Sequence, residues 1–307
     1  MIRKYILTLL SRHITPEQIA RVSGMVENHG LTINHMTRLP GLHTLPNFDP
    51  DNSTSPACLE FSVQGASPDL HNLKINFLTL ATELDMDIVL QEDDAVRKNR
   101  QLACFDMDST LIEAEVIDLL AEAAGVGPEV ARITERAMAG ELDFNDSFRE
   151  RLAMLKGLDE SVLEGIAERL VLTEGAQALI KTLKAQGYKT AILSGGFSYF
   201  AQYLQKKLGI DYVYANELEI INGKVTGQVS GDIINGQRKA DLLKQIAAKE
   251  NLSLDQVVAV GDGANDLPML GAAGLGIAFR AKPLVKQKAQ QSISIFGLDS
   301  ILYLLGN

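Results

Sequence analysis

The sequence lacks the features that mark several classes of protein. Only two of its 307 residues are cysteine, Cys58 and Cys104, which are too few for a disulfide framework. No apolar run approaches the roughly 18 to 20 residues that a membrane-spanning helix needs. The opening segment is basic, but no long apolar core or small-residue cleavage site follows it. These absences predict a cytoplasmic protein that does not enter a membrane.

Positive charge is also scarce. Lysine and arginine number 29 against 39 aspartate and glutamate residues, so the net charge is −10. This balance argues against general affinity for nucleic acid, although a local basic pocket for a small phosphorylated metabolite stays open. The 5 histidines are scattered and show no metal-ligand spacing. The remaining composition is that of an ordinary globular protein, and the length suits two domains.

The first 95 residues predict a small α+β domain with its elements in the order βαββαβ. Thr15 and Pro16 are typical of a helix start. Residues 41–56 are rich in Pro, Asn, Asp and Ser and predict a loop, and residues 91–99 predict a linker. The predicted strands are 5–10, 31–39, 58–63 and 87–90, and the predicted helices are 15–28 and 68–84.

Residues 100–307 predict an α/β domain with a Rossmann-like parallel sheet. Its apolar runs are separated by helical segments, which is typical of βαβ units. A helix-rich insertion covers about 114–172, and Asn222-Gly223 predicts the turn of a hairpin. The predicted strands are 102–105, 189–193, 257–260 and 276–279, and the predicted helices are 173–186 and 239–249.

Polar groups follow three of these strands where each strand ends. Asp106 and Asp108 follow the first, Ser194-Gly195-Gly196 follows the second, and the segment 261–266 follows the third. Because the carboxyl ends of parallel strands meet at one edge of a sheet, we expect these groups to share a crevice. Lys239 is expected to open the helix before the third strand.

This combination favours phosphoryl transfer through an aspartyl-phosphate. Asp106 can attack phosphorus if a Mg²⁺ ion and Lys239 offset the negative charge. Ser194 and the Gly195 amide can donate hydrogen bonds to phosphate, and Asp108 can act as general acid and base. Each element alone is more often an ordinary turn or a solvated lysine. Together, in this order and beside buried strands, they favour a catalytic site.

These motifs resemble those of the haloacid dehalogenase superfamily of phosphotransferases. Asp106-Met107-Asp108-Ser109-Thr110 resembles the first motif, Ser194 the second, and Lys239 with residues 262–266 the third. The resemblance covers roughly residues 100–300. It is strongest to the enzymes that hydrolyse O-phospho-L-serine in L-serine biosynthesis. It therefore implies a Mg²⁺-dependent phosphatase that releases serine and phosphate.

The resemblance also implies a role for particular acidic residues. Asp106 corresponds to the nucleophile and a Mg²⁺ ligand. Asp108 corresponds to the general acid and base, and binds Mg²⁺ through its backbone carbonyl. Asp262 corresponds to the remaining protein ligand, while Asp266 supports the metal site without binding the ion directly. Ser194, Gly195, Lys239 and Asn265 correspond to residues that hold the phosphate or the substrate.

The segment 114–172 corresponds to a helical cap in which substrate choice resides. Arg151 matches the residue that binds the substrate carboxylate, and Glu115 the residue that pairs with its ammonium. Met138 and Phe144 match an apolar lid over the site. Ordinary interpretations exist for all four positions: Arg151 lies among charges typical of a solvated helix face, Glu115 begins a helix, and the other two suit a core.

The amino-terminal domain resembles an ACT domain, a module that often binds amino acids and pairs with copies of itself. The resemblance implies a regulatory role or a homodimer. Such domains often carry an Asp-x-Pro-Gly-like turn after the first strand, whereas this chain has Ser11-Arg12-His13-Ile14-Thr15-Pro16. A structural role and an effector-binding role both stay open.

Two further hypotheses compete with phosphoserine hydrolysis. The same mechanism can serve another small phosphomonoester, such as phosphohomoserine. Alternatively, the phosphatase fold serves only as the platform of an amino-acid sensor. A protein that has lost its phosphatase activity is expected to lack at least one of Asp106, Asp108, Lys239 or Asp262. All four are present.

Overall fold

The computed structural model describes residues 2–44, 56–66, 69–138 and 141–306, which contain a four-stranded and a seven-stranded sheet. The side chains of His71 and Met138 are outside the described part. Within these ranges, no helix combines the length and apolar character needed to cross a membrane.

The four-stranded sheet confirms the βαββαβ order predicted for the first part of the chain. Its strands lie in the order β2-β3-β1-β4, and every neighbouring pair is antiparallel. The elements are β1 (Arg3–Ser11), α1 (Pro16–Asn28), β2 (Thr32–Leu39), β3 (Ala57–Gly65), α2 (Leu70–Leu84) and β4 (Asp87–Glu92). Residues 45–55 of the predicted loop lie outside the described residues.

Helix α1 begins where the sequence predicts. The Thr15 hydroxyl accepts a hydrogen bond from the Gln18 amide at 3.2 Å, and the Gln18 side chain accepts one from the Thr15 amide at 2.9 Å. This reciprocal pair satisfies two amides that the helix itself leaves without partners.

The seven-stranded sheet confirms the Rossmann-like α/β fold. Its order is β11-β10-β9-β5-β6-β7-β8, and all neighbours are parallel except β7 and β8. The strands are β5 (Leu102–Phe105), β6 (Lys189–Phe197), β7 (Tyr212–Ile221), β8 (Lys224–Ser230), β9 (Val257–Gly261), β10 (Leu275–Phe279) and β11 (Gln291–Ile293).

Helices surround this sheet and form the predicted insertion. Five of them, α3 to α7, lie between β5 and β6, and the first four of these, α3 to α6, constitute the helical cap region. The helices are α3 (Val116–Ala123), α4 (Gly127–Met138), α5 (Phe144–Ala153), α6 (Ser161–Glu168), α7 (Ala176–Ala185), α8 (Ser198–Leu208), α9 (Gly236–Lys249), α10 (Leu267–Ala272) and α11 (Pro283–Lys288).

The central strands form because their residues are apolar throughout. Every residue of β5, β9 and β10 is buried, as expected for parallel strands covered by helices on both faces. At the other edge, Asn222 and Gly223 have φ of 51° and 75° and form the predicted two-residue turn. Lys239 does not open α9: Asn235 caps the helix, so the lysine lies one turn inside it.

Hydrogen bonds join the two sheets through β4. The Asp87 carboxylate accepts from the backbone amides of Ser294, Ile295 and Phe296 at 2.7, 3.1 and 3.3 Å. The Gln91 side chain donates to the carbonyl of Leu304 at 3.1 Å. The small unit is therefore anchored to the segment that contains β11 and the residues after it.

Candidate active site

Asp106 occupies the carboxyl end of β5, at the centre of the large sheet. Its amide donates to the carbonyl of Val260 in β9 at 2.9 Å, which continues the pairing of the two strands. Its carboxylate accepts from the Met107 amide at 2.7 Å and lies 2.8 Å from Nζ of Lys239. Only 5% of the residue is exposed, so the carboxylate is fixed in a site with little water.

Lys239 links Asp106 to the loop after β9. Its Nζ also lies 2.7 Å from Oδ1 of Asp266, and the other Asp266 oxygen accepts from the Gly263 amide at 2.9 Å. Burial alone lowers the pKa of Lys239, but Asp106 and Asp266 outweigh burial and raise it. The lysine therefore carries a permanent positive charge between two carboxylates.

The geometry also offers a place for a divalent cation. Carboxylate oxygens of Asp106, Asp262 and Asp266 lie within 4.8 Å of one another. Burial and the charge of Asp266 raise the pKa of Asp106 and that of Asp262, the latter to about 7. Three carboxylates around one lysine leave excess negative charge, and oxygen ligands of this kind suit Mg²⁺. The Thr110 hydroxyl orients Asp262 by donating to its Oδ1 at 3.1 Å.

Asp108 lies beside this cluster and faces Ser194, which lies inside β6 rather than after the strand as the sequence predicts. Its Oδ1 accepts from the Val116 amide at 2.8 Å, and the Ser194 hydroxyl donates to its Oδ2 at 3.4 Å. Burial, followed by the charge of Glu115, raises the pKa of Asp108 to about 8. A Cβ on Gly196 would lie 2.4 Å from Oδ2 of Asp108, so any larger residue there would displace the Asp108 carboxylate.

The predicted cap residues approach the same crevice. Glu115 precedes α3, and its Oε1 accepts a hydrogen bond from the Ser109 hydroxyl at 2.7 Å. Arg151 lies in α5. Burial raises the pKa of Asp118 and that of Glu115, and the positive charge of Arg151 partly offsets this rise in both. Phe144 lies against the last part of β6, where a Cβ on Gly195 would be 3.0 Å from its ring.

For two of the predicted residues, Met138 and Asn265, the described part of the structure gives no side-chain contact with the other site residues. Met138 ends α4, but its side chain lies outside the described residues. Asn265 is half-buried in the 3-10 turn Ala264–Asp266, next to Asp266 in the sequence. Their contacts with substrate stay predictions.

Sequence reasoning missed Asn216, which ties together two parts of the site. Its side chain donates to the carbonyl of Gly195 at 2.7 Å and accepts from the amide of Ile234 at 2.7 Å. Ile234 immediately precedes the cap of α9, which carries Lys239. The only signal in the sequence was an asparagine at a buried position of a strand.

Comparison with known proteins identifies the family. The model of the haloacid dehalogenase-like hydrolases matches residues 103–271. A phosphoserine phosphatase of Archaeoglobus fulgidus is 49% identical over 249 residues, which are 80% of this chain and 72% of that protein.

Two solved structures extend the comparison. The unliganded structure of a probable phosphoserine phosphatase from Vibrio cholerae has a TM-score of 0.74 and 37% identity, and the match covers 99% of this chain and 86% of that chain. The structure of a phospho-aspartyl intermediate analogue of a phosphoserine phosphatase has a TM-score of 0.63 and 45% identity. The match covers 67% of this chain and 99% of that chain. The chain therefore belongs to the haloacid dehalogenase-like hydrolase family and is an enzyme related to its phosphoserine phosphatases.

Proposed function

We propose that this protein is a Mg²⁺-dependent phosphatase that hydrolyses O-phospho-L-serine to L-serine and phosphate through an aspartyl-phosphate. The observation that carries the proposal is the convergence of Asp106, Lys239, Asp262 and Asp266 at one edge of the sheet. The choice of O-phospho-L-serine as the substrate rests on the phosphoserine phosphatases named above.

Asp106 acts as the nucleophile, and the side chains around it lower the barrier to attack. Its carboxylate forms a bond to phosphorus while the bond to the serine oxygen breaks. Lys239 offsets the charge of the phosphoryl oxygens, and the Ser194 hydroxyl and Gly195 amide donate hydrogen bonds to them. Asp106 and Asp262, beside Asp266, would hold Mg²⁺, which would supply further positive charge at the phosphate.

Asp108 supplies and then removes the proton. With its pKa raised to about 8, its carboxyl group is protonated near neutral pH and can donate to the departing serine oxygen. The carboxylate that results takes a proton from the water that hydrolyses the aspartyl-phosphate. The backbone carbonyl of Asp108 is also a proposed metal ligand.

Substrate choice is proposed to lie in the cap. The guanidinium of Arg151 binds the substrate carboxylate, and Glu115 pairs with the ammonium. Phe144 and Met138 close over the site and exclude water, which strengthens these charged contacts. Asn265 reaches the phosphate or the substrate from the loop after β9.

Phosphate release from O-phospho-L-serine, with and without Mg²⁺, tests the proposal. We expect activity only with the cation, and loss of activity in Asp106→Asn. Asp241→Asn is the matched control, because Asp241 is 43% exposed and lies in α9 outside the crevice. Wild-type turnover by Asp106→Asn would show that another residue is the nucleophile.

A panel of phosphomonoesters tests the substrate. Phosphohomoserine, a phosphate ester without a carboxylate and O-phospho-L-serine are compared for the wild type and Arg151→Ala. Loss confined to the carboxylate-bearing esters supports the assigned role of Arg151. A wild-type preference for another ester would keep the mechanism and replace phosphoserine as the substrate.

We further propose two domains, 1–95 and 100–307, with the first an ACT-like domain that regulates the enzyme or joins two copies. The separate four-stranded sheet and its element order support this division. The proposed enzyme works in the cytoplasm. Light scattering of the full chain tests the homodimer, and a monomeric mass at assay concentration would contradict it.

A further inference from the structure

A cleft of about 480 Å³ lies between the two sheets and has no part in the proposed reaction. Helix α2 and strand β4 line one side, and the start of β10 with residues 290–292 lines the other. Its volume is in the range of small-molecule sites in proteins. A ligand in this cleft therefore contacts both the small unit and the large sheet.

The cleft lies at the opposite edge of the large sheet from the catalytic carboxylates. Asp255 precedes β9 and Leu275 begins β10, and both residues line the cleft. Asp262 instead follows the carboxyl end of β9. The five residues of β9 separate the two ends by about 16 Å at 3.3 Å per residue. The cleft and the crevice are separate sites.

A buried arginine lies in the wall of the cleft, and no carboxylate of the described residues forms an ion pair with it. Arg100 is 7% exposed, and its Nη1 donates to the carbonyls of Arg97 and Leu304, at 3.4 and 3.3 Å. Its Nε has no hydrogen-bond partner among the described residues. Burial lowers the pKa of Arg100 to about 10. The charge of Asp94 raises that pKa but does not outweigh burial. A buried cation without a close ion pair is costly, and an anion beside it reduces that cost.

A second cation and two more unpaired polar groups line the same cleft. Burial lowers the pKa of Lys74, and no carboxylate of the described residues lies within 4.0 Å of its ammonium. The Tyr5 hydroxyl and Oε1 of Gln91, in residues 2% and 5% exposed, also have no partner within the described part of the chain. The three carboxylates that line the cleft, Glu92, Asp94 and Asp255, are exposed, so water screens their charge.

We propose that this cleft binds a small organic carboxylate with an apolar body. The carboxylate lies beside Arg100 and Lys74, and the apolar body packs on Phe77, Ile88 and Leu275, which are buried at its wall. The apolar surface distinguishes this ligand from a bare inorganic anion, and the cations distinguish it from a neutral one. The ligand is not the substrate, because the catalytic residues lie at the other edge of the sheet.

Calorimetric titration of the full chain with 4-methylpentanoate tests the proposal. Its neutral counterpart, 4-methylpentanamide, has the same apolar body. We expect the carboxylate to bind at least about tenfold more tightly than the amide, because a charge-assisted hydrogen bond is lost in the amide. Equal affinity for the two, or no binding of the carboxylate, would overturn the proposal.

Two lysine variants and one arginine variant locate the binding site. Lys74→Met should weaken binding of 4-methylpentanoate about tenfold, whereas Lys244→Met, at a 48% exposed side chain in α9, should leave it unchanged. Arg151→Ala should also bind as the wild type does, because Arg151 lies in the catalytic crevice. Loss of binding in Arg151→Ala with retention in Lys74→Met would place the probe in the catalytic site. Since no turnover is measured, the result is independent of the proposed reaction.

Discussion

Lys239→Met is expected to destabilise the protein strongly when no divalent cation is present. The lysine is fully buried, and its Nζ lies 2.8 and 2.7 Å from carboxylate oxygens of Asp106 and Asp266. Methionine has a similar length but no charge, so the substitution leaves two buried carboxylates without their cation. Breaking a buried ion pair in this way costs about 3–5 kcal/mol of the free energy of unfolding.

The loss of stability in Lys239→Met should depend on pH and on the concentration of the divalent cation. Burial raises the pKa of Asp106, and removing Lys239 takes away a charge that lowers it, so the folded-state pKa of Asp106 lies still further above its unfolded value. The folded variant therefore binds more protons than the unfolded chain does. Its stability therefore falls as pH rises, and the deficit is larger at pH 8 than at pH 5. Mg²⁺ at 100 times its dissociation constant adds about 2.7 kcal/mol and offsets part of the loss.

Urea unfolding followed by circular dichroism measures these differences, in EDTA and in Mg²⁺. The matched control is Lys244→Met, because Lys244 lies in the same helix but its ion pair with Asp241 is exposed and 3.9 Å long. That control should change stability by less than about 1 kcal/mol. Equal stability of the two variants in EDTA would refute the reasoning that Lys239 neutralises a buried acidic cluster.

Three more outcomes follow from particular contacts. Asn216→Leu removes the hydrogen bonds to Gly195 and Ile234, and should lower kcat/KM for phosphoserine at least about tenfold while the chain stays folded; unchanged kinetics would exclude a positioning role. Asp87→Ala removes the acceptor of three backbone amides and should lower the free energy of unfolding in urea by about 1–3 kcal/mol; an unchanged midpoint would contradict this. Because the pKa of Asp262 is raised to about 7 and its carboxyl must lose a proton to bind Mg²⁺, calorimetric affinity should fall about tenfold per pH unit below 7; a flat profile from pH 5 to 8 would argue against Asp262 as a ligand.

The strands and the loops of the site were predictable because their signals are local. An apolar run such as Leu102–Phe105 indicates a buried strand, and the polar residues after it must then lie at the sheet edge. The hairpin turn at Asn222-Gly223 was predictable for the same reason, since both positions require a positive φ. Local sequence signals were therefore enough to predict that Asp106, Ser194 and Asp262 lie at this edge of the sheet.

Contacts between distant segments were not predictable. The start of α9 was placed too late because the cap is Asn235, whereas the prediction took Lys239 as the first helical residue. The two hydrogen bonds of the Asn216 side chain require β7 to lie beside both Gly195 in β6 and Ile234, which are separated from Asn216 by 21 and 18 positions. Such hydrogen bonds form only after the sheet has assembled, and no periodicity in the sequence encodes them.

The anchoring of β4 has a consequence for how the chain is made. Asp87 and the Ser294 amide that donates to it are separated by 207 positions, so a growing polypeptide contains this carboxylate long before the amides that donate to it have been made. Amino-terminal domains generally fold first during synthesis. The small sheet can therefore attach to the large sheet through Asp87 only after residues 294–296 have been made.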